Sequence, residues 1–245
     1  IATVFAQIVS VIVSFGMIRR KELPFELHRS NLRFHGATLK KMTALGAPIA
    51  LQDLLVSISF LIILAIVNSI GVTASAGVGV AEKVCAFIML ISSAFMQSIS
   101  AFVAQNYGAG KTDRLRQGLR QATLVSICFS CVISACVVLF AGPLMRIFVQ
   151  AGETEVLAAG VRYLRIEGAF YAGIGCLFLL YGFYRAVKRP GMSVVLTVIS
   201  LGTRVALAYT LAGPVGEVGI WAAIPIGWVL ADAVGYGYYF RRRAR

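Results

Sequence analysis

Seven apolar stretches, separated by polar gaps whose charge alternates, limit this chain more than any other feature. They run over 1–18, 46–69, 75–105, 117–141, 156–184, 191–212 and 218–240. A helix needs about 20 apolar residues to cross the hydrocarbon of a bilayer, and a continuous helix satisfies its own backbone polar groups there. Composition agrees. Of 245 residues, 59% are hydrophobic and 13% charged, against about 25% charged in soluble domains. One globular core cannot hide that much apolar surface. The expected fold is all-α: a polytopic membrane protein with seven transmembrane helices.

The net charge of +13 raises the question of a nucleic-acid partner, and its distribution answers it. The gaps at 19–45, 106–116, 185–190 and 241–245 are basic, while those at 70–74, 142–155 and 213–217 hold only Arg146 against Glu153, Glu155 and Glu217. That alternation is the positive-inside pattern. It predicts an outside N-terminus for this segment, a cytoplasmic C-terminus and an odd number of crossings in the cytoplasmic membrane. The first run is no signal peptide, because "RRK" follows its apolar stretch and nothing basic precedes it. A start at Ile1 inside a helical pattern suggests a fragment.

Residues 19–45 form a basic linker in which Leu32, Phe34, Leu39 and Met42 interleave with cations, suited in part to an interfacial helix on anionic headgroups. Pro48 is expected in the first turn of the next span, and Pro225 within the last span, where it would kink it. Cys85, Cys128, Cys131, Cys136 and Cys176 all fall inside apolar runs. The Cys128-x-x-Cys131 spacing follows no strand and reads as small packing residues, not a redox pair. With His28 and His35 as the only histidines, both in the linker, no metal site is expected.

"QNYGAGKTDR" at 105–114 has the look of a phosphate loop. Such a loop needs G-x-x-x-x-G-K-[ST] between a strand and a helix. Counting back from Gly110-Lys111-Thr112, its first glycine would be Gln105, and the preceding "AFMQSISAFVA" belongs to a span. No nucleotide partner is expected. The better reading is a tight turn in which the helix ends at Asn106 or Tyr107, Gly108 and Gly110 permit left-handed caps, and Lys111, Arg114 and Arg116 hold the cytoplasmic side.

These residues also carry a resemblance. "SISAFVAQNYGAGKTDRLRQGLRQA", together with "LGAPIALQDLLVSISFLIILAIVNSIG", "VGVAEKVCAFIMLISSAFMQ" and "YLRIEGAFY…YGFYRAVKRP", resembles the C-terminal half of the multidrug and toxic compound extrusion (MATE) family. The resemblance implies twelve helices in two six-helix lobes around a central pocket, with export coupled to proton or sodium entry and no other cofactor. Residues 1–18 would be the last helix of the N-terminal lobe, 19–45 the inter-lobe linker, 46–240 the C-terminal lobe and 241–245 a basic tail. The partners implied are a small-molecule substrate, membrane lipids and the N-terminal lobe. Gln105, Asn106, Gly108, Gly110 and Lys111 would be the family's cytoplasmic turn. The acidic residues that some members carry in the first and fourth helices of this lobe correspond here to Val56 and about Ile174, which puts a sodium site of that type in doubt. In the subgroup lacking it, the coupling carboxylate would lie in the first lobe.

Ionisable groups inside spans are costly and are therefore candidates for function. They are Asp53, Glu82, Lys83, Arg162, Arg165, Glu167, Arg204 and Asp232. Along 75–105, Glu82, Met89, Ser93, Gln97, Ser100 and Ala104 keep within a stripe about 80° wide. Such a seam faces a water-filled cavity, or else packs against helices through hydrogen bonds. Glu167 and Glu82, with Lys83, Arg165 or Arg204, are expected either to form a proton- or cation-responsive site or to be a permanent salt-bridge cluster. Interface anchoring is expected of Tyr236, Tyr238 and Tyr239; aromatics higher in the helices could stack on a cationic drug.

The function expected is secondary-active efflux of cationic or amphipathic compounds, with Glu82, Lys83, Gln97, Arg165, Glu167 and Arg204 along the pathway. The alternative is a lipid-linked sugar flippase, whose pyrophosphate would call on Arg165, Arg204 and Lys83. An enzyme is disfavoured because no span carries a metal-ligand pair or a Ser/His arrangement.

Overall fold

Helices account for every regular element among the described residues of the computed structural model, which cover 2–20, 34–150 and 152–243. They are α1 (Ala2–Arg20), α2 (Gly36–Ile70), α3 (Val72–Gly108), α4 (Thr112–Arg146), α5 (Thr154–Gly168), α6 (Tyr171–Ala186), α7 (Pro190–Val215) and α8 (Glu217–Arg243). Residues 21–33, with His28 and Leu32, and 244–245 of the tail lie outside the described residues.

The chain divides into two units, 1–42 and 43–245. In the first, α1 closes with Arg19 and Arg20 in its last turn, where cations favour the helix dipole, and Arg19 lies over the Phe15 ring at 5.4 Å. Of the stretch in which an interfacial helix is expected, 21–33 lies outside the described residues. Residues from Gly36 onward are already the start of α2, so Pro48 sits well inside that helix and not in its first turn.

In the second unit, α2, α3, α4, α7 and α8 are each long and apolar enough to span a membrane, and the bent pair α5–α6 makes a sixth. The expected continuous span 156–184 is broken. Its halves meet at 55°, around Ala169 and Phe170, where Phe170 N–H bonds the Glu167 carbonyl at 3.1 Å. No proline sits there. Instead Gly168 lets Val137 of α4 press against the backbone, and a non-helical backbone is tolerated at membrane depth only where protein or water covers it. A second irregularity lies in α4 at Phe140 (φ −102°, ψ 15°), just before Pro143, whose ring obstructs the helix behind it.

Glycines set the closest crossings. A Cβ on Gly77 of α3 would meet the Val156 carbonyl of α5 at 2.8 Å and Gly160 N at 2.9 Å; one on Gly182 of α6 would meet the Met96 carbonyl of α3 at 2.5 Å. Small residues at such points let helices gain dispersion energy where lipid offers no hydrophobic drive. The core follows from this. Leu164, Leu177, Leu179, Leu180, Leu196, Ile220 and Trp221 are fully enclosed between α5, α6, α7 and α8. Cys128, Cys131 and Cys136 face outward, so they are not the packing residues expected; Cys85 and Cys176 are buried.

Candidate functional site

The Gly77–Gly160 crossing brings α3 and α5 so close that their polar residues meet a turn further on. Tyr163 and Glu167 share a face of α5 at i, i+4; Glu82 and Cys85 share a face of α3 at i, i+3. The buried Tyr163 hydroxyl donates to Glu82 Oε1 at 2.5 Å. The Cys85 thiol reaches Glu167 Oε2 at 3.8 Å. Glu167 is 3% exposed and occupies the last turn of α5, beside the break.

Arg204 of α7 completes the cluster. It is 5% exposed, lies within electrostatic reach of Tyr163, Glu167 and Glu82, and its guanidinium covers the Phe60 ring of α2 at 4.7 Å. Its Nε and Nη2 have no hydrogen-bond partner among the described residues, and neither do Tyr171 OH, Trp221 Nε1 and Ser59 Oγ nearby. No ion pair joins Arg204 to either carboxylate; the described ion pairs are Arg116–Asp113 and Arg162–Glu217, at 3.7 and 3.8 Å. The permanent salt-bridge cluster is therefore not what the geometry holds. Two carboxylates and a guanidinium meet inside the bundle with donors to spare, Glu167 and Arg204 buried and Glu82 half-buried, and burying charge so incompletely paired is expensive.

Of the expected pathway residues, Glu82, Glu167 and Arg204 come together. Lys83, Gln97 and Arg165 are exposed, and neither Lys83 nor Arg165 supplies the cation. The stripe on α3 turns inward only in part: Glu82, Met89, Ser93 and Ser100 are half-buried, Gln97 and Ala104 exposed. Sequence reading missed Tyr163, Cys85, Tyr171 and Phe60. The i, i+4 spacing of Tyr163 and Glu167 was a usable signal for the first. It also missed Gln52 of α2, 3% exposed, whose Oε1 accepts from Arg185 Nη2 of α6 at 3.0 Å.

At the basic end, the turn after α3 forms much as the glycines suggest. Lys111 N–H bonds the Asn106 carbonyl at 2.9 Å, Ala109 N–H the Gln105 carbonyl at 3.1 Å, and Gly110 is left-handed at φ 69°. Gly108 is not; it is the last residue of the helix. The Asn106 side chain donates to the Phe102 carbonyl at 2.8 Å, and Phe102 packs where a Cβ on Gly118 would stand. This is an interhelical turn held by backbone bonds.

Comparison with known proteins matches residues 48–210 to the MatE family model. The probable multidrug resistance protein YoeA of Bacillus subtilis is 25% identical over 97% of this chain and 52% of its own length. The FAD transporter of Shewanella oneidensis is 24% identical over 96% of this chain and 52% of its own. The chain thus spans about half the length of these relatives. A crystal structure of MATE in complex with MaL6 superposes with a TM-score of 0.87 at 17% identity, covering 96% of this chain and 53% of that one. A MOP superfamily transporter from Pyrococcus furiosus gives 0.77 at 18% identity, covering 83% and 45%. Both share the fold.

Proposed function

Because the chain belongs to the MatE family, we propose that it forms the C-terminal lobe of a secondary-active exporter, with 46–240 as the lobe and 19–45 as the linker to an N-terminal lobe. Cationic or amphipathic compounds leave the cell against proton or sodium entry. The observation that carries this reading is the Glu82–Glu167–Arg204 cluster at a broken span. Broken helices at membrane depth are where transporters place substrate and ion sites. A carboxylate there has two states to offer, one loaded with an entering cation and one answered by the guanidinium, and alternating between them ties cargo release to ion entry. Tyr163 and Cys85 hold the two carboxylates in place through both states. The names of YoeA and similar relatives support the efflux reading.

One observation favours a second reading. Arg204 presents two unpartnered nitrogens inside the bundle, as a site for an anionic cargo would, whether a dinucleotide, as the FAD transporter relative suggests, or a lipid-linked pyrophosphate. Expression of the full-length protein in a pump-deficient cell separates the two. Efflux of a cationic dye that fails when one ion gradient is collapsed supports the exporter and identifies the ion. Export of FAD with no dye efflux selects the anionic reading.

A further inference from the structure

At the basic end of the bundle α4 and α8 both pack on α6 and leave a groove between them, which widens into two adjoining cavities. The first, about 390 Å³, is bounded by Arg116, Arg189, Phe183, Tyr184, Tyr238 and Tyr239. The second, about 700 Å³, shares Arg116 and Tyr239 and adds Arg120, Leu124, Tyr236 and Phe240. Its floor is the contact between Thr123 Oγ1 and Tyr236 OH at 3.1 Å.

The walls are sorted by chemistry. Arg116 and Arg120 stand one turn apart on the same face of α4, because the Gly110 turn starts that helix at Thr112. Arg189 faces Arg116 across the first cavity, held by a bond from its Nη1 to Tyr238 OH at 3.3 Å, and follows the left-handed Lys188 at φ 59°. The one carboxylate in these walls among the described residues, Asp113, is loosely paired with Arg116 at 3.7 Å and 96% exposed. Uncovered apolar side chains line the same groove: Leu124, one turn further along α4 than Arg120, is 54% exposed, and Phe240, between Tyr239 and Arg241, 56%.

We propose that this groove is a binding site for one anionic phospholipid, its phosphate between Arg116 and Arg189 and an acyl chain over Leu124 and Phe240. Charge complementarity selects the headgroup. Three arginines against one carboxylate favour an anion, at about a fivefold gain in affinity per cation near a membrane surface. Exposed leucine and phenylalanine beside the arginines within one groove select a lipid over a soluble phosphate, since a free anion has no use for apolar surface. The cavities lie away from Glu167, so the lipid would brace α4 against α8 at the end where the spans must rock, without touching cargo.

Native mass spectrometry of the full-length protein, released from micelles doped equally with phosphatidylglycerol and phosphatidylcholine of matched chains, tests this. One retained phosphatidylglycerol is expected, with retention falling about fivefold for each of Arg116→Ala and Arg189→Ala. Arg114→Ala, in the same turn but outside both cavities, leaves it unchanged. Should the alanine variants fail to fold, Arg116→Lys and Arg189→Lys keep the charge but lose the forked donor set, and a smaller drop is expected. Equal retention of both lipids, or equal loss with Arg114→Ala, overturns the proposal. Displacement of the lipid by millimolar inorganic phosphate reassigns the site to a soluble anion and overturns it as well.

Discussion

Two membrane-embedded carboxylates in this chain sit in opposite circumstances. Glu167 is enclosed at a helix break, shares its pocket with Glu82, Tyr163, Cys85 and Arg204, and depends on the crossing of two glycines. Asp232, in the middle of α8, is half-buried beside Gly173 and Trp228, has Cys176 and Tyr236 near it, and leaves Oδ1 without a partner among the described residues. No cation pairs with it among the described residues. By composition the two are equivalent: a lone acid in an apolar run. What separates them is whether the fold brings a second charge and a set of donors to the same place. A carboxylate that can be answered in two ways is able to switch, and a carboxyl with no second charge in reach has nothing to switch between.

That contrast is open to attack, and the largest effect should come from its scaffold. Gly77→Leu would drive a side chain into the α5 backbone, and overpacking of this kind costs about 3 kcal/mol. Reversible unfolding in mixed micelles should show that loss, and no substitution beside Asp232 should match it. Next, Tyr163→Phe removes the donor to Glu82 while keeping the ring against Trp221, which it meets edge-on at 5.8 Å. About 1 kcal/mol of stability is expected to go, with transport impaired more than stability. The smallest effect belongs to Asp232→Asn. It keeps the shape and exchanges one carboxyl for an amide of the same size, so stability should change by less than about 0.5 kcal/mol and efflux not at all. A clear transport defect there would erase the distinction between the two carboxylates.

The sequence made some of this legible and not the rest, for physical reasons. Spans with a hydrophobic run of twenty residues declare themselves, because length and apolarity are local properties. The turn at Gly110 was legible for the same reason: a left-handed glycine and its cations lie within a few residues. The break at Ala169–Phe170 was not. Nothing there forbids a helix, and the bend arises where Gly168 admits Val137 from another helix. Among the ionisable residues, Glu82, Glu167 and Arg204 could be named but not joined. Lys83, one residue from Glu82, and Arg165, two residues from Glu167, point outward, since each residue step turns a helix by about 100°. Tyr163 and Cys85 carry no charge, so neither stands out in the sequence as part of the cluster, although they make the hydrogen bonds.

The central claim is that Glu167 couples ion entry to efflux. Its most direct test is transport by the full-length protein in proteoliposomes under an imposed proton or sodium gradient, with Glu167→Gln and Asp232→Asn measured side by side at equal reconstitution. The account predicts that Glu167→Gln lowers gradient-driven efflux at least about tenfold, equivalent to about 1.4 kcal/mol, while Asp232→Asn matches the unaltered protein. Undiminished gradient-driven efflux by Glu167→Gln would contradict it.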